Sequence, residues 1–406
     1  MTVRKRLAVC YVAPGSHLVA SAGPTRNVLA LASALGERAD VSVAFRSAPD
    51  VPAGLDVPVL EIEPGVRPKT VGDDSAVRGI SYREFIAYLH ALRRFARERL
   101  RSFDLVLEKN WLLTGYLSHY CRRLGTAAVP VVNHIPVPGR GMRRGARAAA
   151  RHGAGGWISG RYLRSAPRII AETEPLARVL ERRLGIAAER VRVIGVGVDR
   201  DLFRPRDAAA ARRALGIAPD ATVLLYAGVL DRAHDLGPVI DALGSAPPSI
   251  ELHIVGDGAD RGALEARAER SGRPQAVVFH GRVPHEEVPT FIAAADLCLA
   301  PYDPDTFPNG VVTYSTLKIR EYMSAGRPVA SVASGTITGL VRDGVTGFLV
   351  PHEAASWAAL LQRLPPRVRL REMGRNAAGQ PLESWDDIAR AFYEVIEETL
   401  TSGATA

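Results

Sequence analysis

Val223-Leu224-Leu225-Tyr226-Ala227-Gly228-Val229-Leu230-Asp231-Arg232-Ala233-His234 opens the second half of a 406-residue chain. An apolar run without polar alternation reads as a strand covered on both faces, and the glycine turn ends it before a helix begins. The pattern continues downstream through Ile250–Val255, Val277–His280, Leu297–Pro301, Val329–Val332 and Phe348–Val350. It also occurs a first time upstream, in Arg6–Val12, Val41–Phe45, Leu105–Leu107, Val129–Asn133, Ile169–Ala171 and Val191–Ile194. Helices fall between these strands. Thr25–Leu35 puts Val28, Leu31, Ala32 and Leu35 on one face, and about Tyr82–Arg101 has Phe85, Leu89, Leu92 and Ala96 on its apolar stripe. Such alternation predicts parallel, doubly wound sheets. Two series predict an α/β chain of two Rossmann-like domains facing across a cleft, with ligands at the carboxyl ends of the strands.

The expected boundaries are a first domain over 1–198, a linker over 199–218, a second domain over 219–380 and a C-terminal segment over 381–406. Asp199–Ala218 lacks a strand signal and contains Pro205. The last helix, about Asp386–Leu400, is expected to cross back towards the first domain. With 47% hydrophobic and 23% charged residues the composition is globular, which excludes a collagen, a disulfide mini-scaffold and a disordered tail. The net charge of +9 is uneven: residues 1–195 hold 31 basic and 16 acidic groups, residues 196–406 hold 21 and 27. Cys10, Cys121 and Cys298 sit in apolar stretches with no C-x-x-C pair, as core residues of a reducing compartment do. The apolar run Leu7–Val12 stops at Pro14-Gly15, too short for a signal peptide, and no run is long enough to span a bilayer. A cytoplasmic protein is expected, with a peripheral place at the inner face of the membrane as the further option.

Four strand ends carry candidate chemistry. Ala22-Gly23-Pro24-Thr25 offers free N–H groups and a helix dipole to an anion or a sugar hydroxyl, although every such fold has a glycine turn. The turn Gly228–His234 places Arg232 and His234 before a helix, where they serve a diphosphate or simply a solvated loop. In Ser315-Thr316-Leu317-Lys318-Ile319-Arg320-Glu321, Lys318 and Glu321 share a helix face, with Ser315 and Thr316 at its start. Amides and a cation suit phosphates, and a carboxylate suits a ribose diol. An exposed ion pair of little worth is the plainer alternative. Asn133-His134 ends an apolar strand, where the imidazole is either a satisfied core group or a partner for a substrate hydroxyl.

Taken together, these motifs resemble those of retaining glycosyltransferase family four, which has the GT-B fold. The resemblance rests on Gly197-Val198-Asp199 with Phe203 and Pro205, Ile254–Gly258, Phe279–Val283, Ala295–Tyr302, Lys318–Val329 and Asp343–Pro351, in the family's order. It covers nearly the whole second half and the hinge; the first half matches more loosely. The resemblance implies a nucleotide-sugar-binding second domain and an acceptor-side first domain. It implies that Glu321 holds the nucleotide ribose, that Lys318 lies near the diphosphate, and that Arg282 and Val283 occupy the turn reading the base. It further implies that Gly228, Arg232, His234, Ser315, Thr316 and Leu317 complete the donor site, that Gly23 approaches the donor, and that His134 stands at the bond being made. Lys109, Asn110 and Asn133 are acceptor-side candidates beside His134. The catalytic set is thus His134, Arg232, Lys318 and Glu321.

Two positions depart from the family pattern. Thr313 stands where a first glutamate is usual, and Val229 and His234 replace an arginine and a lysine, so the diphosphate falls to Arg232, His234 and Lys318. The implied reaction moves a sugar from a nucleoside diphosphate (UDP or GDP) to an acceptor on a small molecule, glycan or lipid carrier, with retention. It needs no cofactor and no metal, and no D-x-D metal-binding signature stands out where a donor-metal site would be expected. The rival readings are a GT-B sugar-nucleotide epimerase and a non-catalytic nucleotide-sugar-binding protein. Nucleic acid is not an expected partner, with aromatics at 6% and no basic–aromatic strip. The arginines at 93, 94, 97, 99 and 101 and the run Arg140–Arg151 read either as solvated helix faces or as contacts to an anionic acceptor or membrane.

Overall fold

The computed structural model describes residues 6–19, 23–52, 54–67, 80–134, 146–307, 310–313 and 315–403. The run Arg140–Arg151 lies outside the described residues through 145, and its side chains are not described beyond that. The described residues divide into two compact units, one built from those up to 197 together with the segment from Trp385, the other from Val198–Ser384.

The first unit carries β1 (Ala8–Ala13), β2 (Asp40–Phe45), β3 (Val59–Glu61), β4 (Leu105–Lys109), β5 (Ala127–Val132), β6 (Ile169–Ala171) and β7 (Val191–Val193), ordered β3-β2-β1-β4-β5-β6-β7. The second carries β8 (Thr222–Ala227), β9 (Ile250–Val255), β10 (Val277–Gly281), β11 (Leu297–Ala300), β12 (Val329–Ser331) and β13 (Gly347–Leu349), ordered β10-β9-β8-β11-β12-β13. Every pairing is parallel; Val9 lies opposite Val41 and Leu105, and Leu224 opposite Leu252 and Leu297. Both sheets start at a central strand, wind outward, then restart on its other side. That reversal is the topological switch point where ligands bind in such sheets: between β1 and β4, and between β8 and β11.

Continuous apolar strands arise because both faces are covered. Val9, Tyr11 and Ala13 enter one core cluster with the helix Gly23–Leu35, while Cys10 and Val12 enter another with the helix Tyr82–Glu98. Val223 and Leu225 likewise part from Leu224 and Tyr226. All three cysteines are buried and free.

The short strand β3 has no counterpart in the sequence reading: three residues, one of them Glu61, are too few for a periodic signal. The stretch 199–218 is folded into the second unit. Asp207 caps the helix Ala208–Leu215, Phe203, Ala211 and Ile217 enter the core, and Arg212 is buried against Asp296 at 2.7 Å. The helix Trp385–Gly403 belongs to the first unit, with Ile388, Phe392 and Ile396 in the same cluster as Leu31 and Leu35.

Candidate active site

At the carboxyl end of β8 the chain turns through Gly228, and a second turn, Gly256-Asp257-Gly258, packs against it. Leu230 N–H donates to the Asp257 carbonyl at 3.0 Å and Gly228 N–H to the Val255 carbonyl at 2.9 Å. A Cβ on Gly256 would lie 1.8 Å from the Gly228 carbonyl oxygen, so only glycine permits this approach. The helix Leu317–Ser324 docks on the same strand end through Tyr322. Its hydroxyl accepts from Ala227 N–H at 2.8 Å and donates to the Ala227 carbonyl at 3.2 Å.

This docking puts Lys318 over the strand end. Its ammonium donates to Tyr226 Oη at 2.9 Å and sits 4.3 Å from that ring's centroid and 5.6 Å from that of Tyr302. Burial of the ammonium pulls its pKa down to about 7, while Asp231 and Glu321 act to raise it. Asp231 accepts from Ala233 N–H at 3.0 Å, from His234 N–H at 3.1 Å and from His234 Nδ1 at 2.8 Å, folding the 231–234 turn around one carboxylate. The His234 ring leans on Tyr302, 5.0 Å between centroids. Burial, and then Lys318, push His234 down to about 4, so its imidazole is neutral at neutral pH. It therefore brings no positive charge of its own at neutral pH, against the cationic share expected of it; Lys318 and the exposed Arg232 are the other two groups of that expected set. Any anion placed beside Lys318 and His234 would favour protonation of both buried groups, because an adjacent negative charge stabilises their charged forms.

At the start of the Lys318 helix, Thr316 is buried and its Oγ1 has no hydrogen-bond partner among the described residues. Ser315 precedes it and Leu317 opens the helix. Gly228, His234, Lys318 and Glu321 thus meet at one strand end. Arg282 and Val283 follow β10, two strands from β8; Arg282 is exposed and Val283 is half-buried against the core. Thr313 is buried, on a loop whose Val312 N–H donates to Ser334 Oγ at 3.0 Å. Among the described residues no group of three or more His, Cys, Asp or Glu is placed to hold a metal ion.

In the first unit the switch point lies between the ends of β1 and β4. Glu108, wholly buried at the end of β4, accepts from Trp111 Nε1 at 2.7 Å and from the backbone of Gly115 at 3.0 Å and Ser118 at 2.7 Å. It thereby shapes the turn carrying Asn110 and caps the helix Tyr116–Arg123. Burial raises its pKa. Asn110 Oδ1 accepts from His134 N–H at 3.4 Å, which joins the β4 turn to the β5 end; the His134 side chain is exposed. Lys109 and Asn133 line a pocket with Tyr11, Asn27 and Glu172. Gly23 opens the helix Gly23–Leu35, two residues before the buried Thr25; Ala22 lies outside the described residues.

The sequence reading missed Tyr226, Tyr302, Tyr322 and Glu108. An acidic residue inside an otherwise apolar strand was the available signal for Glu108. Tyr226 and Tyr322 sit in a strand and a helix pattern and Tyr302 just past a strand, and their contacts arise only once the chain folds.

A profile described as Glycosyltransferase Family 4 matches residues 22–202, and one described as Glycosyl transferases group 1 matches residues 221–365. The chain is 30% identical over 370 residues to a D-inositol 3-phosphate glycosyltransferase of Streptomyces scabiei, covering 83% of this chain and 78% of that one. It is 29% identical to the Geodermatophilus obscurus protein of the same name, over 86% of this chain and 80% of that one. Among solved structures it is similar to sucrose-phosphate synthase from Thermosynechococcus elongatus, with a TM-score of 0.78 at 21% identity, covering 98% and 100% of the two chains. It is also similar to Anabaena HepE in complex with UDP-glucose, with a TM-score of 0.73 at 20% identity over 98% and 100%. These two likenesses speak to the fold. With both halves matched in order, the chain belongs to glycosyltransferase family 4, GT-B enzymes that move a sugar from a nucleoside-diphosphate donor to an acceptor.

Proposed function

We propose that the transfer proceeds with retention at the anomeric carbon, from a UDP- or GDP-sugar to a hydroxyl of a small molecule, glycan or lipid-linked acceptor. The observation that carries this reading is the Lys318 ammonium, gathered with Glu321 and the Gly228 turn at the switch-point end of β8. Departure of the diphosphate is the hard step. Lys318, Arg232 and the amides at Ser315, Thr316 and Leu317 stabilise the charge growing on it, as preorganised donors do. Glu321 accepts from the ribose diol, and Arg282 and Val283 meet the base. The leaving phosphate takes the acceptor proton on the face it departs from, while His134 orients the groups. Lys109, Asn110 and Asn133 contact the acceptor, and the name of the relatives makes a phosphorylated cyclitol the first acceptor to try.

A thermal-shift series with UDP, GDP, ADP and dTDP identifies the base, since a ligand raises apparent stability by mass action. Product NMR with the matching donor then reads the anomeric configuration; an inverted product ends the retaining assignment. Conversion of donor alone to an epimer would favour the epimerase reading. His134→Ala is expected to slow transfer by about tenfold or more. A variant with the full rate removes His134 from the catalytic set.

A further inference from the structure

Part of the basic surplus of the first half lies away from the carboxyl edge. Between Glu108 and Glu172 there is no acidic residue, while one lysine and ten arginines occur, of which Arg122, Arg123, Arg161, Arg164 and Arg168 have described side chains. In a parallel sheet the connecting helices run against the strands, so their C-terminal ends lie at the amino edge of the sheet. The helices Tyr116–Arg123 and Ala146–Ser165 are tied together at that edge, where Arg122 donates to the Ser165 carbonyl at 2.6 Å and to Ser165 Oγ at 3.1 Å. The His119 ring lies tilted against Tyr162 there, 5.2 Å between centroids, and its pKa is lowered by burial and by Arg122, Arg123 and Arg161. Arg190 joins them, donating to the Arg164 carbonyl at 2.9 Å. None of Arg122, Arg123, Arg161, Arg164 and Arg190 has a carboxylate within 4.0 Å among the described residues. Trp157 is 67% exposed, and Arg161 and Arg164 follow it at helical spacing on the same exposed face.

We propose that this amino-edge face, Trp157 with Arg122, Arg123, Arg161 and Arg164, docks on the surface of an anionic lipid bilayer. Clustered arginines without carboxylate partners seek a dense field of negative charge, and a membrane surface supplies one as lipid phosphates. An exposed tryptophan beside them suits the headgroup layer, where its amphipathic ring settles. A single exposed tryptophan does not make the stacking platform that a single-stranded nucleic acid needs. Asn110 and His134 lie at the opposite edge of the same sheet, so docking is separable from transfer.

The test is flotation of the full chain with phosphatidylcholine vesicles containing about 30 mol% phosphatidylglycerol, against phosphatidylcholine alone. Binding is expected only to the anionic vesicles and is expected to weaken as salt rises. The R161E/R164E variant should partition at least about tenfold more weakly, while its turnover with a water-soluble acceptor stays unchanged. Both side chains are exposed, so folding should survive; R161Q/R164Q, checked by circular dichroism, should give an intermediate loss. Brominated lipids should quench Trp157 fluorescence, and W157F should remove that signal. Equal partitioning of wild type and R161E/R164E, no preference for anionic vesicles, or tighter capture by double-stranded DNA would overturn the proposal.

Discussion

Lys318 is the residue on which charge, burial and function pull hardest against one another. Burial holds the pKa of its ammonium at about 7, beside two tyrosine rings, where the proposed donor site needs a cation. Between that value and the ordinary lysine range the unfolded chain binds more protons than the folded one, so stability rises with pH across this window. Below it the full cost of the buried charge is felt. Lys318→Met is therefore expected to melt higher than the wild type, with the gap widest at or below neutral pH and closing towards alkaline pH. The same variant should lose most of its thermal gain from UDP or GDP, about tenfold or more in affinity. Calorimetry in buffers of different ionisation enthalpy should show the wild type taking up protons on binding nucleotide. A variant that melts no higher yet binds as well would show that the ammonium is neither a burden nor a ligand. His234, its pKa pushed down to about 4, is neutral around pH 7 and is expected to leave the pH profile of stability untouched there.

The helix Leu317–Ser324 is the element that turns a strand end into a site, and it does so through Tyr322. Tyr322→Phe keeps the buried ring but removes both hydrogen bonds to Ala227, at about 0.5–1.5 kcal/mol each. We expect a modest fall in melting temperature, together with a rise in the donor KM that exceeds the change in kcat, because Lys318 and Glu321 lose their register on β8. Steady-state kinetics at varied donor concentration checks this. At this scale much was legible in the sequence: apolar runs mark both strand series, and the K-x-x-E spacing marks one helix face. What escaped was whatever depends on two distant segments meeting. Tyr226 is a strand apolar until Lys318 arrives 92 residues later. Glu108 looks like a strand-end charge until the backbone of 115–118 closes over it. His234 reads as a cation from its type and its place before a helix; only the folded turn, with Tyr302 against the ring, shows why it is neutral.

The chain as a whole repeats one plan twice, yet the two units are not equally contiguous. Among the described residues the second is a single run, Val198–Ser384, whereas the first takes its last helix from the far end of the chain. That helix gives Ile388, Phe392, Val395 and Ile396 to the first core, all 3% exposed or less. At about 1.5–3 kcal/mol for each buried side chain, the four contribute roughly 6–12 kcal/mol. This is comparable to the about 5–15 kcal/mol that holds a whole domain folded. Removing residues 385–406 should therefore unfold the first unit and leave the second standing. Fragment 198–384 is expected to give a cooperative melt and to keep nucleotide-dependent stabilisation. Fragment 1–197 should bind a hydrophobic dye and exchange its amide protons quickly, until a peptide spanning 385–403 is added. The peptide restores protection by covering Leu31 and Leu35 on the helix Gly23–Leu35. A peptide with Phe392→Asp and Ile396→Asp should fail, since each change places a carboxylate in that apolar cluster. If fragment 1–197 folds cooperatively without the peptide, the first core is self-sufficient and the last helix is an ornament on it rather than part of its structure.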